Sequence, residues 1–134
     1  MATTAQEVSA RMATPFTNEP LTDFTKEENI RAQEAALQKV AASFGKTYPL
    51  IIAGERRMTD ATFASTNPAN PSQTLAIFAK AGVAEANEAV EAAHKRFQTW
   101  QYTPAEERAG YLFAAAQKMR ERRFEFNAIE TYEV

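Results

Sequence analysis

At 134 residues the chain is long enough for one domain and too short for two ordinary ones. Lys and Arg number 15 against 17 Asp and Glu, and a net charge of −2 supplies no clustered basic excess of the kind a nucleic-acid surface needs. With Cys 0 and His 1 there is no disulfide, thiolate nucleophile or thiolate metal site, and no basis for a His-built zinc centre. No apolar run approaches the roughly 20 residues of a membrane-spanning helix.

The hydrophobic fraction of 45% overstates the core, because Ala supplies 27 residues while Leu, Ile and Val supply 5 each and Phe 9. Those four bulky types amount to 24 of 134 residues, about 18%, a level at which packing becomes marginal. Small net charge and clear periodicity argue against disorder, so the composition predicts a folded segment with a thin core.

Residues 1–24 (MATTAQEVSARMATPFTNEPLTDF) are polar and Ala/Thr-rich without a sustained period, and read as an extended arm. "MATP" at Met12 echoes the opening "MATT" and could be an alternative start. A transit peptide is disfavoured, since Arg11 is the single basic residue there and no apolar stretch follows it. "TKEE" then offers a capping box, with Thr25 as N-cap and Glu28 reaching back. Ile30, Leu37, Val40 and Phe44 mark one face, Gly45 can supply a left-handed stop, and Pro49 prevents resumption. These signals predict a first helix over 25–44.

"YPLIIAGERRM" and "ATFAST" read as two short strands joined through a turn near Gly54. "NPANP" reads as irregular, because each Pro disfavours helix in the Asn before it and both Asn residues favour turns. "QTLAIFAKA" is a third strand, apolar on both faces at Leu75, Ala76, Ile77 and Phe78 and therefore buried. Val83, Ala86, Val90, Ala93, Phe97 and Trp100 recur three and four residues apart and predict a helix with a narrow apolar seam. In the next helix Thr103 is the expected N-cap, Pro104 occupies N1 and Glu106 closes the box. Leu112, Phe113, Ala116 and Met119 form its stripe, and a break near Arg123 precedes a final short helix. "RFEFNAIETYEV" has helical spacing but no Gly or Asn stop, no basic last turn and no Pro beyond, so the reading is of a helix that continues in a longer chain.

The residues that could carry chemistry do not assemble. His94 has Glu91 one turn earlier but no implied nucleophile, and reads as a surface histidine. Glu85, Glu88 and Glu91 have helical spacing and read as a solvated face; paired carboxylates at work converge from several elements. Lys118, Arg120, Arg122 and Arg123 could meet a phosphate or an acidic partner, but more simply complement a helix C-terminus in water. Gly45, Gly54, Gly82 and Gly110 form neither a GxGxxG nor a Walker A loop. No catalytic, cofactor-binding or metal-binding residue is assigned.

The order of segments nevertheless resembles the start of the aldehyde dehydrogenase superfamily, from about Pro15 to Val134. The "NP" after a strand in "STNPANPSQTLAIFAKA", the "AVEAAHKRFQTW" helix and the "PAEERA" helix start are superfamily features, while "PFTNEP", "YPL" and the terminal "YEV" point to the branch that oxidises L-glutamate γ-semialdehyde to glutamate in proline catabolism. The resemblance implies an α+β fragment of an α/β aldehyde dehydrogenase fold: N-terminal arm and helix, three short strands, then two to three helices. It divides the chain into the arm, 1–24, and an incomplete N-terminal part of the cofactor-binding domain, 25–134. NAD is implied for the full-length family and not for this chain alone. The Pro-Trp-Asn-Phe-Pro loop, the lysine on the adenosine ribose, the general-base glutamate and the nucleophilic cysteine would all lie downstream. Implied partners are the remainder of the dehydrogenase polypeptide or neighbouring subunits in a homo-oligomer, in the cytoplasm, with no nucleic acid and no membrane. The alternative is a stand-alone, non-catalytic interaction module that keeps the shape without the chemistry.

Overall fold

The computed structural model describes Val8, Ala10 and residues 15–134. Helix α1 (Glu27–Ala41) is followed by strands β1 (Lys46–Tyr48), β2 (Leu50–Ile52), β3 (Glu55–Arg57), β4 (Thr62–Asn67) and β5 (Asn70–Ala79). Helices α2 (Val83–Trp100), α3 (Ala105–Glu121) and α4 (Arg123–Glu133) complete the described elements. The expected α+β order holds, with five strands where the sequence pattern predicts three. Residues 15–23 carry no regular element, whereas Val8 and Ala10 are helical; the rest of the arm's first fourteen residues lies outside the described residues.

The first helix forms, but not through the expected capping box. Its N-cap is Lys26, which has no side-chain cap bond. Just before it, Asp23 Oδ1 accepts from the Thr25 N–H at 2.9 Å and from the Thr25 hydroxyl at 2.6 Å. Thr25 stands one residue before that N-cap, with its hydroxyl and N–H both turned to Asp23. Gly45 ends the turn that follows at φ 75°, the left-handed conformation a glycine adopts without Cβ strain.

The turn at Gly54 joins two strands that both lie inside the first run, "YPLIIAGERRM", which the sequence pattern reads as one strand. Ala53 and Gly54 both have positive φ (52° and 86°), and they fold β2 back on β3 with Leu50 opposite Arg57 and Ile52 opposite Glu55. Positive φ at both central residues is the requirement of a type I′ hairpin, whose twist matches that of the strands. "NPANP" is also more ordered than its composition suggests. Only Pro68 and Ala69 form the turn; Asn67 closes β4, and Asn70 and Pro71 open β5. Asn67 Oδ1 accepts the Ala69 N–H at 2.9 Å, so the side chain that favours a turn also leaves its own backbone free for the ladder.

β5 is the central strand of a β1-β5-β4 sheet, parallel to β1 and antiparallel to β4. Its Leu75, Ala76 and Ala79 are buried, as the two-sided apolar pattern predicts. Tyr48, Phe78 and Phe63 stand in one register row across the three strands, their rings stacked at 5.4 and 5.5 Å. α1 packs along α4, where Phe44 meets Tyr132 edge-to-face at 4.9 Å.

The core is as thin as the composition predicts. Buried apolar residues among those described are Val8, Ala36, Ile52, Leu75, Ala76, Ala79 and Ala128, mostly alanines. The chain exposes 10468 Å², where a compact monomer of 14.9 kDa would expose about 7000 Å². The α2 seam shows where the excess lies. No residue of α2 is buried, and Val83 and Val90 are 79% and 70% exposed. On α3, Leu112 is 74% exposed and Met119 also faces solvent, while Phe113 and Ala116 are half-buried. The N-cap of α3 is Pro104 and not Thr103, because an extended ψ of 145° at Pro104 delays the first helical residue to Ala105. The expected break appears at Arg122 (φ −109°, ψ 19°), and α4 starts at the next residue.

Candidate functional site

The acidic row on α2 is divided between two structural tasks. Glu85 reaches back to the N-cap, its Oε2 accepting the Gly82 N–H at 2.7 Å. Glu88 receives both guanidinium nitrogens of Arg57 at 2.6 Å, a fork-to-fork pair that ties the β2–β3 hairpin to α2. These hydrogen bonds hold the Glu88 carboxyl below the ordinary range and push the Arg57 guanidinium up. Only Glu91 remains the exposed residue that helical spacing predicts. Among the described residues no group of three His, Cys, Asp or Glu side chains could hold a metal ion.

The basic run at the end of α3 stays largely exposed to solvent, as its reading as a solvated helix end expects, and its members also form surface ion pairs within the chain. Lys118 pairs with Glu121 at 2.7 Å, and Arg122 with Glu125 at 2.6 Å. Arg120 and Arg123 both reach Glu19, at 2.5 and 3.4 Å. Glu125 also accepts from Lys39 of α1 at 3.2 Å, and the Arg122 and Lys39 hydrogen bonds together lower its carboxyl to about 2. His94 is exposed on α2, with Gln98 Nε2 3.4 Å from its ring nitrogen.

A concavity lies between α1, α4 and the sheet. It holds about 520 Å³ over Leu75, Ala76 and Phe78, flanked by Phe44 and Tyr132, with Lys39, Arg122 and Glu125 at its rim. Two of those rim cations already serve Glu125, so the hollow offers apolar and aromatic surface more than free charge. Wherever a carboxyl among the described residues is shifted, it is shifted downward. A general acid near neutral pH requires the opposite shift.

The Gly82 turn is no dinucleotide cradle. Gly82 stands at a strand-to-helix junction, where a phosphate could approach a helix N-terminus. The Glu85 carboxylate occupies the Gly82 N–H, and a Cβ at Gly82 would stand 3.1 Å from Glu85 Oε2. A pyrophosphate would meet an anion in that position, so the Gly82 turn does not fit the diphosphate of a nicotinamide dinucleotide. The sequence reading did not single out Arg57, Glu19 or Glu125. Arg57 and Glu19 are paired across 31 to 104 residues of chain, which leaves no local spacing to read, whereas the three-residue spacing of Arg122 and Glu125 was a local signal.

Comparison with known proteins places the chain in a family. The sequence pattern of the family described as "Aldehyde dehydrogenase family" matches residues 56–134. The chain is 48% identical over 118 residues to the 1-pyrroline-5-carboxylate dehydrogenase of Bacillus pumilus, covering 88% of this chain and 23% of that protein. It superposes with a TM-score of 0.87 and 46% identity on a point mutant of the Thermus thermophilus 1-pyrroline-5-carboxylate dehydrogenase, over 91% of this chain and 24% of that one. A Thermus 1-pyrroline-5-carboxylate dehydrogenase structure with bound NAD matches equally, at TM-score 0.87 and 46% identity over 91% of this chain and 24% of that one. The chain thus spans about a quarter of the length of the relatives it matches. By sequence pattern and by fold, it belongs to the aldehyde dehydrogenase family.

Proposed function

We propose that the chain is the N-terminal portion of an NAD-dependent dehydrogenase that oxidises L-glutamate γ-semialdehyde, the open form of 1-pyrroline-5-carboxylate, to L-glutamate. The observation that carries this reading is the 48% identity sustained over 118 residues with a protein of that name. NAD supplies the hydride acceptor in such an enzyme, and the Thermus relative with bound NAD supports its use. In this reading residues 25–134 are the first part of the cofactor-binding domain and residues 1–24 its arm. The remaining polypeptide brings the reactive groups, the whole acts as a cytoplasmic homo-oligomer, and this chain contributes shape and surface. Exposed apolar residues on α2 and α3, among them Val83, Val90 and Leu112, suit a segment that packs on a larger body.

The test is NADH formation at saturating semialdehyde, measured for the 134-residue chain and for the complete reading frame that contains it. The chain alone is expected to be inactive and the complete frame active. Turnover by the isolated chain would refute the division of labour, and a complete frame without semialdehyde activity would refute the substrate. The exposed helix faces also suit a stand-alone interaction module. A reading frame closing directly after Val134, with a folded product that binds full-length subunits, would establish that reading in place of the first.

A further inference from the structure

α3 is poorly held. Its Leu112 and Met119 face solvent, and its packing on α4 is sparse across the break at Arg122. One contact at its far end comes from Val8, whose Cγ2 would stand 3.3 Å from a Cβ on Gly110. At its near end a single carboxylate spans the break: Glu19 accepts from Arg120 Nε on α3 and from Arg123 Nη2 on α4. Glu19 lies in the segment without regular structure, about a hundred residues away in sequence. Around it, Leu21, Phe24, Met119 and Phe126 line a shallow groove.

We infer that Glu19 is a latch: by bonding one arginine on each side of the Arg122 break it fixes the angle between α3 and α4 and straps the arm across their junction. The geometry suits a hinge device. Arg120 and Arg123 are three residues apart, yet they belong to different helices, so one anion can hold both only at a restricted inter-helix angle. All three side chains are partly exposed, which makes the latch sensitive to ionic strength in a way that a buried pair is not. Arg122 itself turns away to Glu125, leaving Glu19 the acceptor seen joining the two sides.

The absence of cysteine allows the test to be made in the chain as it stands. One spin-label pair, at Glu107→Cys and Thr131→Cys, reports the angle between α3 and α4; a second, at Thr17→Cys and Ala115→Cys, reports the arm. In the parent at low salt both distance distributions are expected to be narrow. In Glu19→Gln, and in the parent at about 1 M NaCl where the screening length falls to roughly 3 Å, both should broaden and lengthen while helical circular dichroism stays unchanged. The charge exchange Glu19→Arg with Arg120→Glu and Arg123→Glu should restore the narrow distributions. Broad distributions already in the parent, a Glu19→Gln variant as narrow as the parent, or failure of the exchange to restore order would overturn the latch. Loss of helical signal in Glu19→Gln would overturn it too, since the carboxylate would then hold the fold and not the angle.

Discussion

Glu125 offers the sharpest test of how the α1–α4 layer is held. Its carboxylate accepts from Arg122, one turn earlier, and from Lys39 of α1, and its side chain is 24% exposed. Its carboxyl is lowered from 4.5 to about 2, chiefly by the Arg122 hydrogen bond and then by that of Lys39. A group whose folded value is depressed stabilises the fold above its unfolded value and loses that contribution as pH falls through the folded one. The window is therefore from about pH 4.5 down to about pH 2. The full displacement would correspond to at most about 3.4 kcal/mol; solvent at the exposed quarter and salt screening leave about 1–2 kcal/mol. Glu125→Gln should accordingly lose about 1–2 kcal/mol at pH 7 in urea unfolding, with the difference from the parent shrinking toward zero near pH 2. A carbon-13 titration of the Glu125 carboxyl should give its depressed midpoint directly, and Lys39→Ala should raise that midpoint. A midpoint near 4.5, or a loss in Glu125→Gln that does not change with pH, would refute the reasoning.

Other substitutions probe the hairpin, the sheet and the α2 attachment. Ala53→Asn should stabilise the chain by about 0.5–1 kcal/mol in thermal unfolding, because Asn tolerates the left-handed φ that Ala53 adopts. Gly54→Ala should cost about 1–2 kcal/mol from backbone strain alone, since nothing stands within 4 Å of the added Cβ. Leu75→Ala removes one of the few large buried side chains from the central strand; a loss of about 2–5 kcal/mol is expected, enough to abolish cooperative unfolding in so thin a core. Arg57→Lys keeps the charge but cannot reproduce the two-pronged bond to Glu88, so amide exchange should rise in α2 and the β2–β3 hairpin together. Equal protection in the parent and variant would show that α2 is attached by other means.

Helices were the legible part of this molecule because their signals are local. The three-and-four spacing from Val83 to Trp100, the break near Arg123 and the left-handed stop at Gly45 each depend on residues within one or two turns, and all three appear in the structure. The two-sided apolar run around Leu75 likewise announces a central strand before its neighbours are known. Family membership was legible for a related reason: the order of segments is itself a one-dimensional property.

Tertiary structure decided everything that depends on distant partners. Apolar periodicity says which face of α2 and α3 could be buried, but burial needs a second surface, and among the described residues Val83, Val90 and Phe97 of the seam stay at least half exposed. A charge run states a sign without naming its counter-ion. Glu88 found Arg57 across 31 residues, Glu125 found Lys39 across 86 and Glu19 found Arg120 across 101. The start of α1 is a local exception, since Asp23 and Thr25 are two residues apart and bond within one turn. The physical reason is common to all of them: a side chain's chemistry is written in the sequence, whereas its competition among acceptors is settled by which of them the folded chain brings within about 3 Å.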